Sequence, residues 1–227
     1  MLKFITSILL SVFSLQVMAI GLSDISNKDA TDGLKDALTQ AVSSAVGSLG
    51  VSDGFFGNPK VKILLPDSLN KVEKGMRMFG MGMQADELIL SINRAAEAAV
   101  PEAKVLLIES VKKMSVQDVK TILAGGDDAA TQYFKKTTAS QLAVKFLPIV
   151  KKATQDVQLA QQYNQFAEIG VKYGLVKQDQ ANLDQYVTQK ALDGLFTIMA
   201  EEEKVIRQDP IGTSSNLIKK VFGALGH

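Results

Sequence analysis

Apolar residues recur along most of this chain at spacings of three and four, the repeat of a helix with one buried face. In "DATDGLKDALTQAVSSAVGSL" the face is Leu34, Leu38, Ala41, Val42, Ala45, Val46 and Leu49, with Asp29 or Thr31 as N-cap and Gly50 as the stop. The pattern breaks at "GFFGNPKVKILLP", where Gly54, Gly57, Asn58 and Pro59 predict a turn. Val61 to Leu65 then reads as extended, at most a short strand, so one extended segment is expected near residues 59–66. Pro66 and Asp67 open a helix carrying Leu69, Val72 and Met76.

The next segment, "ADELILSINRAAEAAVPEAKVLLIESVKKM", is the most apolar. Leu88, Ile92, Ala95, Ala99, Ala103 and Leu106 keep one phase across Pro101. Pro101 either kinks a single long helix or starts a second one at its first position, and the second reading is preferred. Ser115 and Asp118 have the spacing of a capping box, and Gly125-Gly126 ends that helix. Asp127 is expected to cap a restart in "GGDDAATQYFKK", and Thr137 or Thr138 a further one. A longer helix through Tyr163, Phe166 and Ile169 stops near Gly174. The last long helix is capped by Asp184 and stops before Pro210, and "SSNLIKKVFGAL" is a short terminal one. Without strand–helix alternation or a fixed repeat, the expected architecture is all-α: a single multi-helix domain over residues 20–227.

Residues 1–19 are set apart by composition. Lys3 precedes an apolar run from Phe4 to about Leu15, followed by Val17-Met18-Ala19, the layout of a signal peptide cleaved after Ala19. The run is short and broken by Thr6, Ser7, Ser11 and Ser14, which argues against a membrane anchor. There is no Cys for a lipid anchor, so the expectation is a periplasmic protein, not membrane-integral after signal cleavage. Loss of Lys3 leaves basic and acidic residues equal at 24, which gives no electrostatic case for nucleic acid.

His227 is the sole histidine and Cys is absent, which removes Ser-His-Asp and Cys-His sites, His-ligated zinc and the di-iron bundle. No phosphate-binding glycine loop is present, and no cofactor is expected. "MRMFGMGM" with Met76, Met78, Met81 and Met83 offers thioethers to a soft metal, but no imidazole or thiolate strengthens the set. Asp127 and Asp128 lack the spacing of a calcium loop.

One carboxylate is out of place. In "LFTIMAEEEKVIRQDP" the stripe is Leu195, Ile198, Met199 and Ile206, and at about 100° per residue Glu202 falls within it. The reading is a buried polar cluster of Asn93, Arg94, Glu97 and Glu202, built on an Arg94–Glu202 or Arg94–Glu97 pair because an unpaired buried charge is costly. The other readings of Glu202 are a ligand-facing group and a catalytic acid of raised pKa. Glu203 and Arg207 read as a solvated i,i+4 pair.

"VEKGMRMFGMG", "SINRAAEAAVPEAK", "ILAGGDDAATQYF" and "YVTQKALDGLFTIMAEEEKVIRQDP" together resemble the bacterial family catalogued as domain of unknown function 4197, over nearly the whole mature chain. The resemblance implies an exported helical domain and carries over no activity, cofactor, partner or site residue. The function expected is a non-enzymatic module binding an apolar ligand or an envelope protein. The alternatives are a carboxylate-dependent hydrolase of envelope glycan, which needs two carboxyls across an open cleft, and an assembly protein of the envelope.

Overall fold

A computed structural model describes residues 25–80, 82–210 and 215–224. The expected signal peptide lies outside the described residues. The architecture is all-α: α1 (Asn27–Leu49), α2 (Asp67–Met78), α3 (Gly82–Ala99), α4 (Ala103–Lys113), α5 (Val116–Leu123), α6 (Ala129–Thr154), α7 (Gln158–Lys172), α8 (Leu183–Gln208) and α9 (Asn216–Gly223). No strand occurs among the described residues; 62–66 is extended without a sheet partner. Among them, no helix is long and apolar enough to cross a membrane.

The long α8 is central, packed against α6, α1 and α3, while α1 carries α9, α4 and α5 on its other sides. Alanines 37, 41 and 45 of α1 are buried in alternation with Leu34, Leu38 and Val42. Small beside large positions let neighbouring helices interdigitate. Gly33 serves the same end, since a Cβ there would lie 2.6 Å from Cγ2 of Val221 on α9. Gly194 is the α8 counterpart: a Cβ would come 2.6 Å from the ring of Phe55, a fully buried side chain of the 51–66 connection. Gly194→Ala is expected to cost about 1–3 kcal/mol by overpacking. Urea denaturation checks it, and an unchanged midpoint would mean that Phe55 yields freely.

Several boundaries differ from the sequence reading. Ser26, not Asp29 or Thr31, caps α1 by accepting from the Asp29 N–H at 3.0 Å. Asn182, not Asp184, caps α8. The Ser115–Asp118 capping box is present, and the Ser115 N–H and hydroxyl it accepts from hold the Asp118 carboxyl below its ordinary pKa. At Pro101 the chain passes through one 3-10 turn, Val100–Glu102, and α4 begins at Ala103. The break is real, yet Pro101 is not the first residue of α4.

The expected restart at Thr137 or Thr138 does not occur, because α6 is continuous. Both hydroxyls donate back to carbonyls four residues earlier, Tyr133 at 2.8 Å and Phe134 at 2.6 Å, so neither caps anything. The buried residues of α6 follow as Phe134, Thr138, Leu142, Phe146, Val150 and Thr154. A repeat of four advances the stripe by about 40° per step, so it winds around the helix as α6 crosses its neighbours. A fixed phase window sees that winding as a break.

Candidate functional site

Three successive glutamates on α8 leave the helix in three directions. Glu201 pairs with Lys60 at 2.9 Å. Glu202, half-buried, accepts from the Ser44 hydroxyl of α1 at 2.8 Å. Glu203 is buried, and its partner Arg207 more so, at 4 % and 1 % side-chain exposure. This corrects the expectation on both counts: Glu202 is not the buried acid, and the Glu203–Arg207 pair is not solvated. The aliphatic stripe misplaces the buried acid because the last turns of α8 are enclosed on two flanks, by α1 and by the facing ends of α5 and α6. The buried arc there is wider than the aliphatic stripe.

Glu203 does the work of an N-cap from a distance. Its Oε1 accepts from the Ala130 N–H at 2.9 Å, and its Oε2 from the N–H and hydroxyl of Thr131 at 2.9 and 3.0 Å. Those amides belong to the first turn of α6, where Asp128 makes no side-chain cap and a carboxylate is favoured by the helix dipole. Asp127, the expected cap, stands 3.8 Å from Lys204 instead. Arg207 donates Nε and Nη2 to Glu203 Oε1 at 3.1 and 2.8 Å, and Nη2 also to the Ile122 carbonyl in the last turn of α5 at 2.9 Å. The Phe222 ring of α9 lies 5.6 Å from the guanidinium carbon. One ion pair therefore ties α5, α6, α8 and α9.

The second cluster is on α3, where residues 92–99 are buried except for Arg94 and Ala98. Asn93, Arg94 and Glu97 come together, and Glu202 is not with them. Arg94 bonds Glu97 at 2.6 Å and Asp53 at 2.7 Å, the latter in a left-handed backbone conformation at φ 66. The buried Glu97 also accepts from the N–H groups of Phe55 at 3.0 Å and Phe56 at 3.1 Å. Asn93 meets Ile63 as a neighbouring strand would. Its Oδ1 accepts the Ile63 N–H at 2.8 Å and its Nδ2 donates to the Ile63 carbonyl at 2.8 Å. A side chain thus holds the extended segment where a sheet would otherwise be required.

A third set was missed by sequence reasoning. Thr154 donates to Asp184 at 2.6 Å, and Tyr163 donates to the Gln180 carbonyl at 2.6 Å beside Ser68. Burial pushes the Tyr163 phenol above its ordinary pKa. Each of these residues is unremarkable in its own helix, so no local signal marks them.

The accessible features lie elsewhere. A groove of about 370 Å³ runs between residues 60–65 and the α8 face of Tyr186, Lys190, Asp193 and Thr197. Asp193 and Thr197 also border a second depression, with Gln132 and Lys135 of α6 on its other side. Separately, α2 packs on α3 as a hairpin, and Gly80 follows α2 at φ 76. Met78, Phe79 and Met83 at that turn are 85, 79 and 81 % exposed. Met76 lies in α2, but its side chain, like the whole of Met81, falls outside the described residues. Among the described residues no group of three or more His, Cys, Asp or Glu is placed to hold a metal.

Compared with known proteins, residues 24–223 match the family model described as "Protein of unknown function (DUF4197)", and the chain belongs to that family. No curated protein and no solved structure matches it.

Proposed function

We propose that this family member is an exported, non-enzymatic module of the bacterial envelope that binds a protein partner. The observation that carries the reading is the hairpin tip, where Met78, Phe79 and Met83 stand together in solvent. Large exposed apolar side chains so close in sequence are costly to leave uncovered and mark an interaction surface. Side chains as exposed as these suit contact with a partner's surface better than enclosure of an aliphatic ligand.

The buried polar groups support the same reading. Glu97 and Glu203 are saturated by backbone N–H groups and arginines, so they act as fixed acceptors. A glycan hydrolase needs a proton-donating acid and a second carboxyl across a cleft. Asp67 and Asp193 both line the groove. Asp67 is exposed beside Lys177, and Asp193 accepts from Gln189, so neither is the enclosed acid that chemistry requires.

The test is a triple variant, Met78→Ser, Phe79→Ser and Met83→Ser, compared with the unaltered chain by native mass spectrometry after purification from the source envelope. The expected result is a protein complex with the unaltered chain that the variant loses while keeping its melting temperature. Identical complexes for both, or a bare monomer for both, would contradict the reading. A self-complex alone would point to the assembly role.

A further inference from the structure

The extended segment offers an edge with which no backbone strand among the described residues pairs. A trans peptide unit points its C=O and N–H in opposite directions. Asn93 holds the Ile63 N–H, so the Lys62 carbonyl of the same peptide plane faces away from α3. Asn93 also holds the Ile63 carbonyl, which turns the Leu64 N–H away likewise. That outward side is the groove side, since the Leu64 carbonyl there accepts from the Tyr186 hydroxyl of α8 at 3.1 Å. Among the described residues the Lys62 carbonyl and the Leu64 N–H have no partner. The Lys62 N–H is already taken by the Asn58 carbonyl at 2.9 Å. One acceptor at residue 62 and one donor at residue 64 are the pair that a single residue of a parallel strand would bridge.

Resting on the protein-binding reading, we propose that the groove receives an extended, acidic segment of the partner, added as a parallel strand along residues 62–64. Length permits it. The α8 wall from Tyr186 to Thr197 extends about 16 Å at 1.5 Å per residue, room for about five extended residues. Charge favours acidic side chains. Lys62 and Lys190 have no carboxylate partner among the described residues; their ammonium groups lie 3.9 Å from the Phe56 ring centre and 5.7 Å from that of Tyr186. Asp193 and Asp67 are the opposing charges: Asp193 accepts from Gln189 on its own helix, and Asp67 stands 3.6 Å from Lys177. Main-chain pairing of this kind gives affinity, and the flanking side chains give selectivity.

The experiment pans a random heptapeptide phage library on the mature chain and measures the enriched peptides by fluorescence anisotropy. The expected peptides carry Asp or Glu. Their affinity falls at least tenfold in Leu64→Pro, which deletes the amide donor, and in the Lys62→Glu, Lys190→Glu double variant. Leu64→Ala, which removes a 61 % exposed side chain and keeps the amide, leaves affinity within about twofold. If Leu64→Pro disturbs folding, single N-methylation along the synthetic peptide replaces it: methylation of the one residue bonded to Lys62 abolishes binding and its neighbours tolerate it. Peptides indifferent to Leu64→Pro and to every N-methyl position would overturn strand pairing and leave a partner at the hairpin tip intact. A library that yields no binder would overturn the proposal too, while the serine variant of the tip decides the broader reading independently.

Discussion

Glu203→Ala and Arg207→Ala are each expected to destabilise the protein by about 3–5 kcal/mol, because either change leaves its partner charged and buried. For a domain of this size that is a fall in melting temperature of about 10 °C. Glu203→Ala also uncovers the Ala130 and Thr131 amides at the start of α6, and Arg207→Ala frees the Ile122 carbonyl. The two losses share one network, so the double variant should cost far less than their sum. Glu202→Gln is the control. It keeps an oxygen for the Ser44 hydroxyl and should stay within about 0.5 kcal/mol of wild type. Thermal and urea denaturation of the four variants and the wild type decides the matter. A destabilised Glu202 variant beside a tolerant Glu203 variant would put the buried carboxylate back where the aliphatic stripe alone places it.

Asn93→Leu is expected to cost about 2–4 kcal/mol although it inserts an apolar side chain into an apolar helix. The amide it removes satisfies both the N–H and the C=O of Ile63, and each buried backbone group left without a partner carries a penalty of about 1–3 kcal/mol. The loss should be local as well as global. Amide hydrogen exchange at Ile63 should accelerate far more than exchange in the middle of α8, because the extended segment has no sheet to hold it. Equal protection at Ile63 in both proteins would show that the packing of Ile63 and Leu65 alone fixes the segment.

The helices were legible in the chain because their signals are local. The α1 face, the Ser115–Asp118 box and the break at Pro101 each lie within a few residues of one another. The all-α class follows from the same periodicity. What was not legible is the pairing of distant groups. Asn93 and Glu97 stood out as polar residues in an apolar helix. Their partners, the amides of Ile63, Phe55 and Phe56, are backbone groups that every residue carries, and the sequence does not distinguish them. Glu203 was hidden for a related reason. Its partners are the first-turn amides of α6, and an adjacent aspartate offered a more local cap. Glu202 misled because an aliphatic stripe records where one neighbour packs, whereas the end of α8 has neighbours on two flanks. The winding contact stripe of α6 was lost in the same way, since its phase depends on a crossing angle set by other helices.

The most direct test of the account as a whole is site-specific photocrosslinking in living cells of the source organism. A benzoylphenylalanine is placed at position 79, on the hairpin tip, or at Val144, an α6 side chain that is 75 % exposed. The account predicts a discrete adduct with an envelope protein from position 79 and none from position 144. No adduct from position 79, or the same adducts from both, would contradict a partner-binding role for this face.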